Sequence, residues 1–247
     1  MNVDAILCDI DGCLGPESHE PFNAAGIAKV ASYNRHAIAT RSRPVLTLCS
    51  GRPQPFAEAL CRLVGNDLLP CVAEMGVWLY DPAGNRFLLD PAILPEHRRW
   101  IREATAWVEE TLIPQGVVIQ PGKTASISLW HPDTEWLMAQ RQPLRERFAA
   151  AGWNLRVSNS VAWVNCDLAH VSKGTGIARF REATGLVSSR LAGIGDTMSD
   201  LAIREQVAFF AVPANAQDEL KAKADYVSPH HGIEGVLDIL EHPMLRA

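Results

Sequence analysis

An apolar run, Ala5-Ile6-Leu7-Cys8, stops abruptly at Asp9-Ile10-Asp11-Gly12. The run is apolar at successive positions rather than alternate ones. That pattern suits a strand buried on both faces, at the centre of a parallel sheet. Asp9 and Asp11 then stand where the strand leaves the sheet. Their spacing of two keeps both carboxylates on one side of an extended backbone, and ligands of open α/β sheets bind at this carboxyl edge. Gly12 lets the chain turn away and lets a ligand approach the backbone. Two neighbouring carboxylates repel, and they persist at neutral pH where a cation neutralises them or one takes a proton. A solvated turn would use the same residue types, so the pair alone leaves both readings open.

The 247 residues, 47% of them hydrophobic, suffice for one large domain or two modest ones. A net charge of −5 and a pI of about 5.9 argue against a nucleic-acid partner or an anionic membrane surface. No apolar stretch reaches the length of a membrane span, and no leader-like pattern opens the chain. The cysteines, Cys8, Cys13, Cys49, Cys61, Cys71 and Cys166, form no Cys-x-x-Cys pair. They are expected to be buried reduced thiols in a cytoplasmic protein.

Along the chain, spacing predicts a helix over 22–36 and a second buried strand over 44–49. That strand runs into Ser50-Gly51-Arg52-Pro53 and a helix over 53–64. Free N–H groups at such a helix start favour a phosphate, although Ser50 can equally be a simple helix cap. Strands follow at 71–73 and 77–80, and a turn at 81–85. The pattern then changes: a helix over 96–112, strands at 117–120 and 124–130, a helix over 133–151, and strands at 154–157 and 161–165. This reads as an α+β unit, 82–166, inserted between two halves, 1–81 and 167–247, of a doubly wound domain. Alternation resumes with a helix over 173–184, a strand over 191–195 and Asp196-Thr197-Met198-Ser199-Asp200. A strand over 207–212, a helix over 214–223, a short strand at 226–227 and a helix over 232–240 complete the chain.

Four polar clusters thus fall at strand ends or helix starts: Asp9/Asp11, Ser50, Lys173 and Asp196/Asp200. The two later aspartates can also serve the dipole of their own helix. Lys173 is harder to account for, because a helix N-terminus favours anions. Its placement implies a negative group held in front of it, and its removal is expected to cost activity and to favour stability. Oxygen-only ligands favour a hard cation, Mg²⁺ rather than zinc. Serine, lysine, a helix start and a metal together describe a site for a phosphoryl group.

These clusters resemble the motifs of the haloacid-dehalogenase-like phosphatase superfamily. Asp9-Ile10-Asp11-Gly12-Cys13-Leu14 is similar to its first motif, Ser50-Gly51-Arg52 to its second, Lys173-Gly174 to its third and Gly195-Asp196-Thr197-Met198-Ser199-Asp200 to its fourth. The insert resembles a cap of the C2B subgroup, which includes sugar-phosphate, phosphoglycolate and mannosyl-3-phosphoglycerate phosphatases and phosphomannomutase. Asp225-Tyr226-Val227 and Gly232-Ile233-Glu234-Gly235-Val236 resemble its C-terminal end. The resemblance implies an α/β fold: a doubly wound, Rossmann-like parallel sheet core with an inserted α+β cap domain. Two departures stand out. Cys13 replaces the usual threonine, and Met75, in Glu74-Met75-Gly76, replaces a common asparagine.

The resemblance also implies roles. Asp9 would be the nucleophile that forms an aspartyl-phosphate, and Asp11 the general acid and base. Mg²⁺ would bind Asp9, Asp11 and Asp196, with Asp200 as a further ligand or a support. Ser50 and Lys173 would hold the phosphoryl oxygens, and the cap would close over the site. Gly12, Gly51, Arg52, Glu74, Lys123 and His131 are candidates for contact with phosphate or substrate. In the insert, Ser126, Ser128 and Trp130 would share one strand face, opposite Ile127 and Leu129. The expected substrate is a small phosphorylated metabolite, a sugar phosphate or a short phosphorylated acid. A phosphomutase and a non-hydrolytic phosphate binder are the alternatives, and a homodimer is left open.

Overall fold

The computed structural model describes residues 3–17 and 19–246. The chain divides into two compact units, Met1–Leu88 with Ser172–Ala247, and Leu89–Val171. The first unit begins with β1 (Ala5–Cys8), α1 (Ala24–Thr40), β2 (Val45–Leu48), α2 (Gln54–Leu63), β3 (Cys71–Ala73), β4 (Trp78–Asp81) and β5 (Arg86–Leu89). The second holds α3 (Pro95–Thr111), β6 (Val118–Ile119), β7 (Ser126–Trp130), α4 (Thr134–Ala139), α5 (Arg141–Ala150), β8 (Leu155–Asn159) and β9 (Trp163–Leu168). The first then resumes with α6 (Lys173–Thr184), β10 (Leu191–Ile194), α7 (Leu201–Arg204), β11 (Phe209–Val212), α8 (Asp218–Lys221), β12 (Tyr226–Val227) and α9 (Gly232–Leu240).

Five strands of the first unit form a parallel sheet in the order β12-β11-β10-β1-β2. Ile6 and Cys8 of β1 pack with Ile27 and Val30 of α1, Leu60 of α2 and Ile233 and Ile239 of α9. Ala5 and Leu7 pack in a second cluster with Ile177 and Phe180 of α6, Ile203 of α7 and Leu220 of α8. Burial on both faces is why β1 is apolar at every position. From β1 the chain moves to β2 on one side and returns later to β10 on the other. A switch point therefore lies between β1 and β10, and such a point opens a crevice at the carboxyl edge.

The second unit has its own antiparallel sheet, β6-β7-β9-β8. Its register puts Ile127, Leu129, Val164, Cys166 and Val157 on one face, the face that α3, α4 and α5 cover. Ser126, Ser128, Trp130, Asn165, Asp167 and Arg156 share the other. Among the described residues no helix is long and apolar enough to cross a membrane, and all six cysteines are unpaired and buried.

Several elements differ from their sequence expectation. Helix α1 starts at Ala24, where the Asn23 side chain accepts the Gly26 N–H, and it continues to Thr40 rather than residue 36. The helix expected over 133–151 is two, α4 and α5, parted at Gln140. Pro143 has no N–H for the Ala139 carbonyl, and its ring crowds that group. The helix expected over 214–223 shrinks to Asp218–Lys221, because Asn215 and Gln217 bond to distant loops instead. The units part at 88/89 and 171/172 rather than 81/82 and 166/167. The cause is pairing: β5 joins β4 in a sheet with β3, and β9 runs on to Leu168 against β8.

Candidate active site

Asp9 directly follows β1, Ser50 follows β2 by two residues, and Asp196 follows β10 by two. All three lie at the carboxyl edge of the parallel sheet. Lys173 opens α6, behind the Ser172 cap whose hydroxyl accepts the Thr175 N–H at 3.2 Å. Lys173 is 1% exposed, and its Nζ lies 2.9 Å from Asp9 Oδ2 and 2.6 Å from Asp200 Oδ1. The negative group in front of this lysine is therefore a pair of aspartates. Removal of Lys173 would strand both buried carboxylates, which reverses the expectation that its loss favours stability.

Asp200 is fully engaged. Its Oδ1 takes Lys173, and its Oδ2 accepts the N–H groups of Asp196 and Thr197 at 3.0 and 3.1 Å. It holds the Asp196 loop and the lysine ammonium together. By contrast, Asp9 Oδ1 and Asp196 Oδ1 are buried with no hydrogen-bond partner. One oxygen from each of Asp9, Asp196 and Asp200 lies within 4.8 Å of the others. With all three carboxylates ionised, one ammonium would leave two negative charges in excess, in a buried place. Burial first, then the Asp200 charge, pushes the Asp9 carboxyl up to about 7 against the pull of Lys173. Burial, Asp200 and Asp9 push Asp196 up to about 9. Orphaned hard oxygens and a double charge excess fit a divalent cation such as Mg²⁺.

Gly12 has φ +72°, and a Cβ there would lie 1.9 Å from Asp196 Oδ2. The close neighbour that demands glycine is Asp196, where the sequence suggested a ligand. Gly12→Ala is expected to cost about 1–2 kcal/mol through the left-handed backbone alone and to push Asp196 out of the cluster. A thermal melt checks this, and an unchanged midpoint would refute it. The Gly12 carbonyl also accepts from Asn215 Nδ2 at 2.9 Å. Gln217 donates its N–H to the Asp196 carbonyl, and its side chain accepts from Met198 N–H, both at 2.8 Å. Asn215 and Gln217 tie the two acidic loops together. Sequence reasoning missed them because an expected helix covered both positions.

Ser50 does not cap α2, which has no side-chain cap; its hydroxyl accepts the Arg52 N–H at 3.2 Å. Gly51 faces the Met75 side chain, whose Sδ would lie 3.3 Å from a Cβ there. Arg52 forms a forked ion pair with Asp11. Glu74 and Met75 both have positive φ, 49° and 57°. Their N–H groups bond to the carbonyls of Arg52 and Ser50 at 2.8 and 3.1 Å, so this strained corner braces the Ser50 loop. Glu17, absent from the sequence candidates, has its carboxyl pushed up to about 7, first by burial and then by the Asp11 charge. Cys13 is buried, and burial pushes its thiol well above the usual range.

Lys123 and His131 belong to the second unit. Lys123 Nζ bonds to Ser128 Oγ at 2.6 Å. Both His131 ring nitrogens are engaged, one with the Gln115 carbonyl at 3.1 Å and the other with Asp133 N–H at 3.0 Å. The ring also lies 4.6 Å from that of Trp136. His131 thus serves a turn within its own unit, and its place in the sequence carries no sign of that.

Comparison with known proteins bears on the family and the fold. The family of haloacid dehalogenase-like hydrolases matches residues 145–240. A phosphoglycolate phosphatase of Natronomonas pharaonis is 28% identical over 97% of this chain and 97% of its own length. Another, from Methanothrix thermoacetophila, is 38% identical over 29% of this chain and 32% of its own length. The structure of a haloacid dehalogenase-like hydrolase from Bacteroides thetaiotaomicron superposes with a TM-score of 0.69. That match covers 97% of this chain and 99% of the other at 16% identity, a likeness of fold.

Proposed function

We propose that this chain, which resembles the haloacid dehalogenase-like hydrolases over residues 145–240, is a Mg²⁺-dependent phosphatase acting on a small phosphate monoester through an aspartyl-phosphate. The observation that carries this reading is the buried Lys173 bridging Asp9 and Asp200 beside two orphaned carboxylate oxygens. The Lys173 ammonium beside Asp9 at a helix start, with Ser50 buried at the same sheet edge, makes a receptacle for a phosphoryl group. The names of the two relatives, phosphoglycolate phosphatases, support a short phosphorylated acid, and sugar phosphates remain in the substrate class.

In the first step an Asp9 oxygen attacks phosphorus, the bond to the leaving alcohol breaks, and Asp11 supplies that oxygen with a proton. In the second, water gives a proton to Asp11 and attacks phosphorus. The Asp9–phosphorus bond then breaks, and inorganic phosphate leaves with both aspartates restored. Lys173 and Ser50 hold the phosphoryl oxygens as charge shifts onto them. Asp9, Asp196 and the Asp11 carbonyl would hold Mg²⁺, which neutralises the carboxylate excess and draws charge from the phosphoryl group. Phosphate release from a panel of phosphorylated sugars and short acids, with and without EDTA, tests this function. Release from none of them in Mg²⁺ would overturn it.

Metal and pH should be coupled in a way that needs no turnover to observe. Folded Asp9 and Asp196 keep protons at pH values where ordinary carboxyls, near 3.8, have lost them. The metal-free fold therefore binds more protons than the unfolded chain, and its stability falls as pH rises from about 4 to about 9. Mg²⁺ displaces those protons. Its stabilising effect, read as a rise in Tm, is expected to be larger at about pH 8.5 than at about pH 6. Asp196→Ala is expected to raise the Mg²⁺ concentration needed for that rise by at least the roughly 10–100-fold typical of a lost supporting contact. An unchanged titration would remove Asp196 from the ligand set.

A further inference from the structure

The proposed general acid and base is held by another residue in this structure. Arg52 Nε lies 3.0 and 2.8 Å from the two Asp11 oxygens, and Nη2 bonds Oδ1 as well. Both Asp11 oxygens accept from one guanidinium, which holds the carboxylate against Arg52. The pair differs from the buried Lys173 bridges. The Arg52 and Asp11 side chains are 20% and 22% exposed, against 2% for Lys173 and 0% for Asp200. An incoming molecule can reach it.

Arg52 is also built to stay in place while changing partner. Its backbone is fixed at both ends, the N–H by Ser50 Oγ and the carbonyl by Glu74 N–H. Its guanidinium carbon lies 5.1 Å from the centre of the Phe56 ring, whose own neighbour is the Phe22 ring at 6.2 Å. An aromatic shelf of that kind supports a guanidinium whichever carboxylate occupies its fork.

The identity of the displacing group follows from the geometry of the fork. A second carboxylate reproduces the planar, two-bond, charge-assisted pair that Asp11 gives up. A hydroxyl supplies neither the charge nor the second acceptor. Resting on the phosphatase reading above, we propose that Arg52 is a latch on Asp11, released when a carboxylate on the leaving group takes its fork. The chain is then matched to phosphate monoesters of short carboxylated alcohols rather than to neutral sugar phosphates. Arg52 acts as a specificity-determining residue and, through Asp11, as a positioning residue.

The test compares 2-phosphoglycolate with 2-hydroxyethyl phosphate, in which a neutral CH₂OH replaces the carboxylate. The full chain is assayed in Mg²⁺ as wild type, Arg52→Gln and Arg52→Lys, with folding followed by circular dichroism. Wild type is expected to favour the carboxylated ester in kcat/KM by about 100-fold, within the range of a lost general acid. Arg52→Gln is expected to lower kcat/KM for 2-phosphoglycolate by about 30-fold and to raise kcat for the neutral ester about 3-fold, since Asp11 is set free. Arg52→Lys keeps the charge but not the fork and should fall between. It also keeps the test alive if Arg52→Gln does not fold. Equal changes on both esters, or no change on either, would overturn the latch while leaving the phosphatase intact. Failure of the wild type to release phosphate from any ester would remove the phosphatase and the latch together.

Discussion

Asp9→Asn is expected to give a folded protein with turnover reduced on the order of 10⁴-fold or more, as loss of a covalent nucleophile does elsewhere. The amide is nearly isosteric, and its oxygen can still accept from Lys173 Nζ, now 2.9 Å from Oδ2. What it loses is one negative charge and the oxygen proposed as nucleophile. Loss of the charge reduces the repulsion among Asp9, Asp196 and Asp200, which is what pushes the Asp9 and Asp196 carboxyls upward after burial itself. The metal-free variant should therefore melt no lower than the wild type. Its Tm should respond less to Mg²⁺, because one carboxylate ligand has become a neutral amide. Single-turnover phosphate release and a thermal melt with and without Mg²⁺ separate these effects. Near-normal turnover would end the covalent mechanism.

Lys173→Ala should injure both the fold and the chemistry. Its ammonium is 1% exposed and compensates two carboxylates that are themselves almost wholly buried. Breaking a buried pair by removal of one partner typically costs about 3–5 kcal/mol, because the remaining charge has no compensation. For a chain of this size that is a fall in Tm of roughly 6–20 °C. The same change removes a donor aimed at developing charge, worth on the order of 10²–10³ in rate. Adding Asp200→Asn to Lys173→Ala should recover part of the lost Tm, since it removes one stranded charge, while the rate stays low. A single variant as stable as the wild type would show that solvent already reaches these carboxylates.

The sequence by itself determined where the parallel strands lie and where they stop. Strands buried on both faces are mostly apolar, so Ala5-Ile6-Leu7-Cys8 is visible as an unbroken run, and its counterparts before Ser50 and Asp196, interrupted by Thr47 and Gly193, likewise end at polar residues. Helices whose periodicity is uninterrupted were equally legible: α6 at Lys173–Thr184 and α9 at Gly232–Leu240 coincide with their expected bounds. Periodicity is local, however, and it fails where a residue's partner is far along the chain. Asn215 leaves its expected helix to bond Gly12, and Gln217 to bond the Asp196 loop. Only the tertiary structure decided how the charges pair. Asp200 engages Lys173 across 27 residues, while Arg52 engages Asp11 across 41. A lysine at a helix start is unfavourable when that helix is considered alone, because the dipole repels it. Here the fold brings two buried carboxylates within reach of its ammonium, and an ion pair in a dry interior outweighs a helix-end dipole.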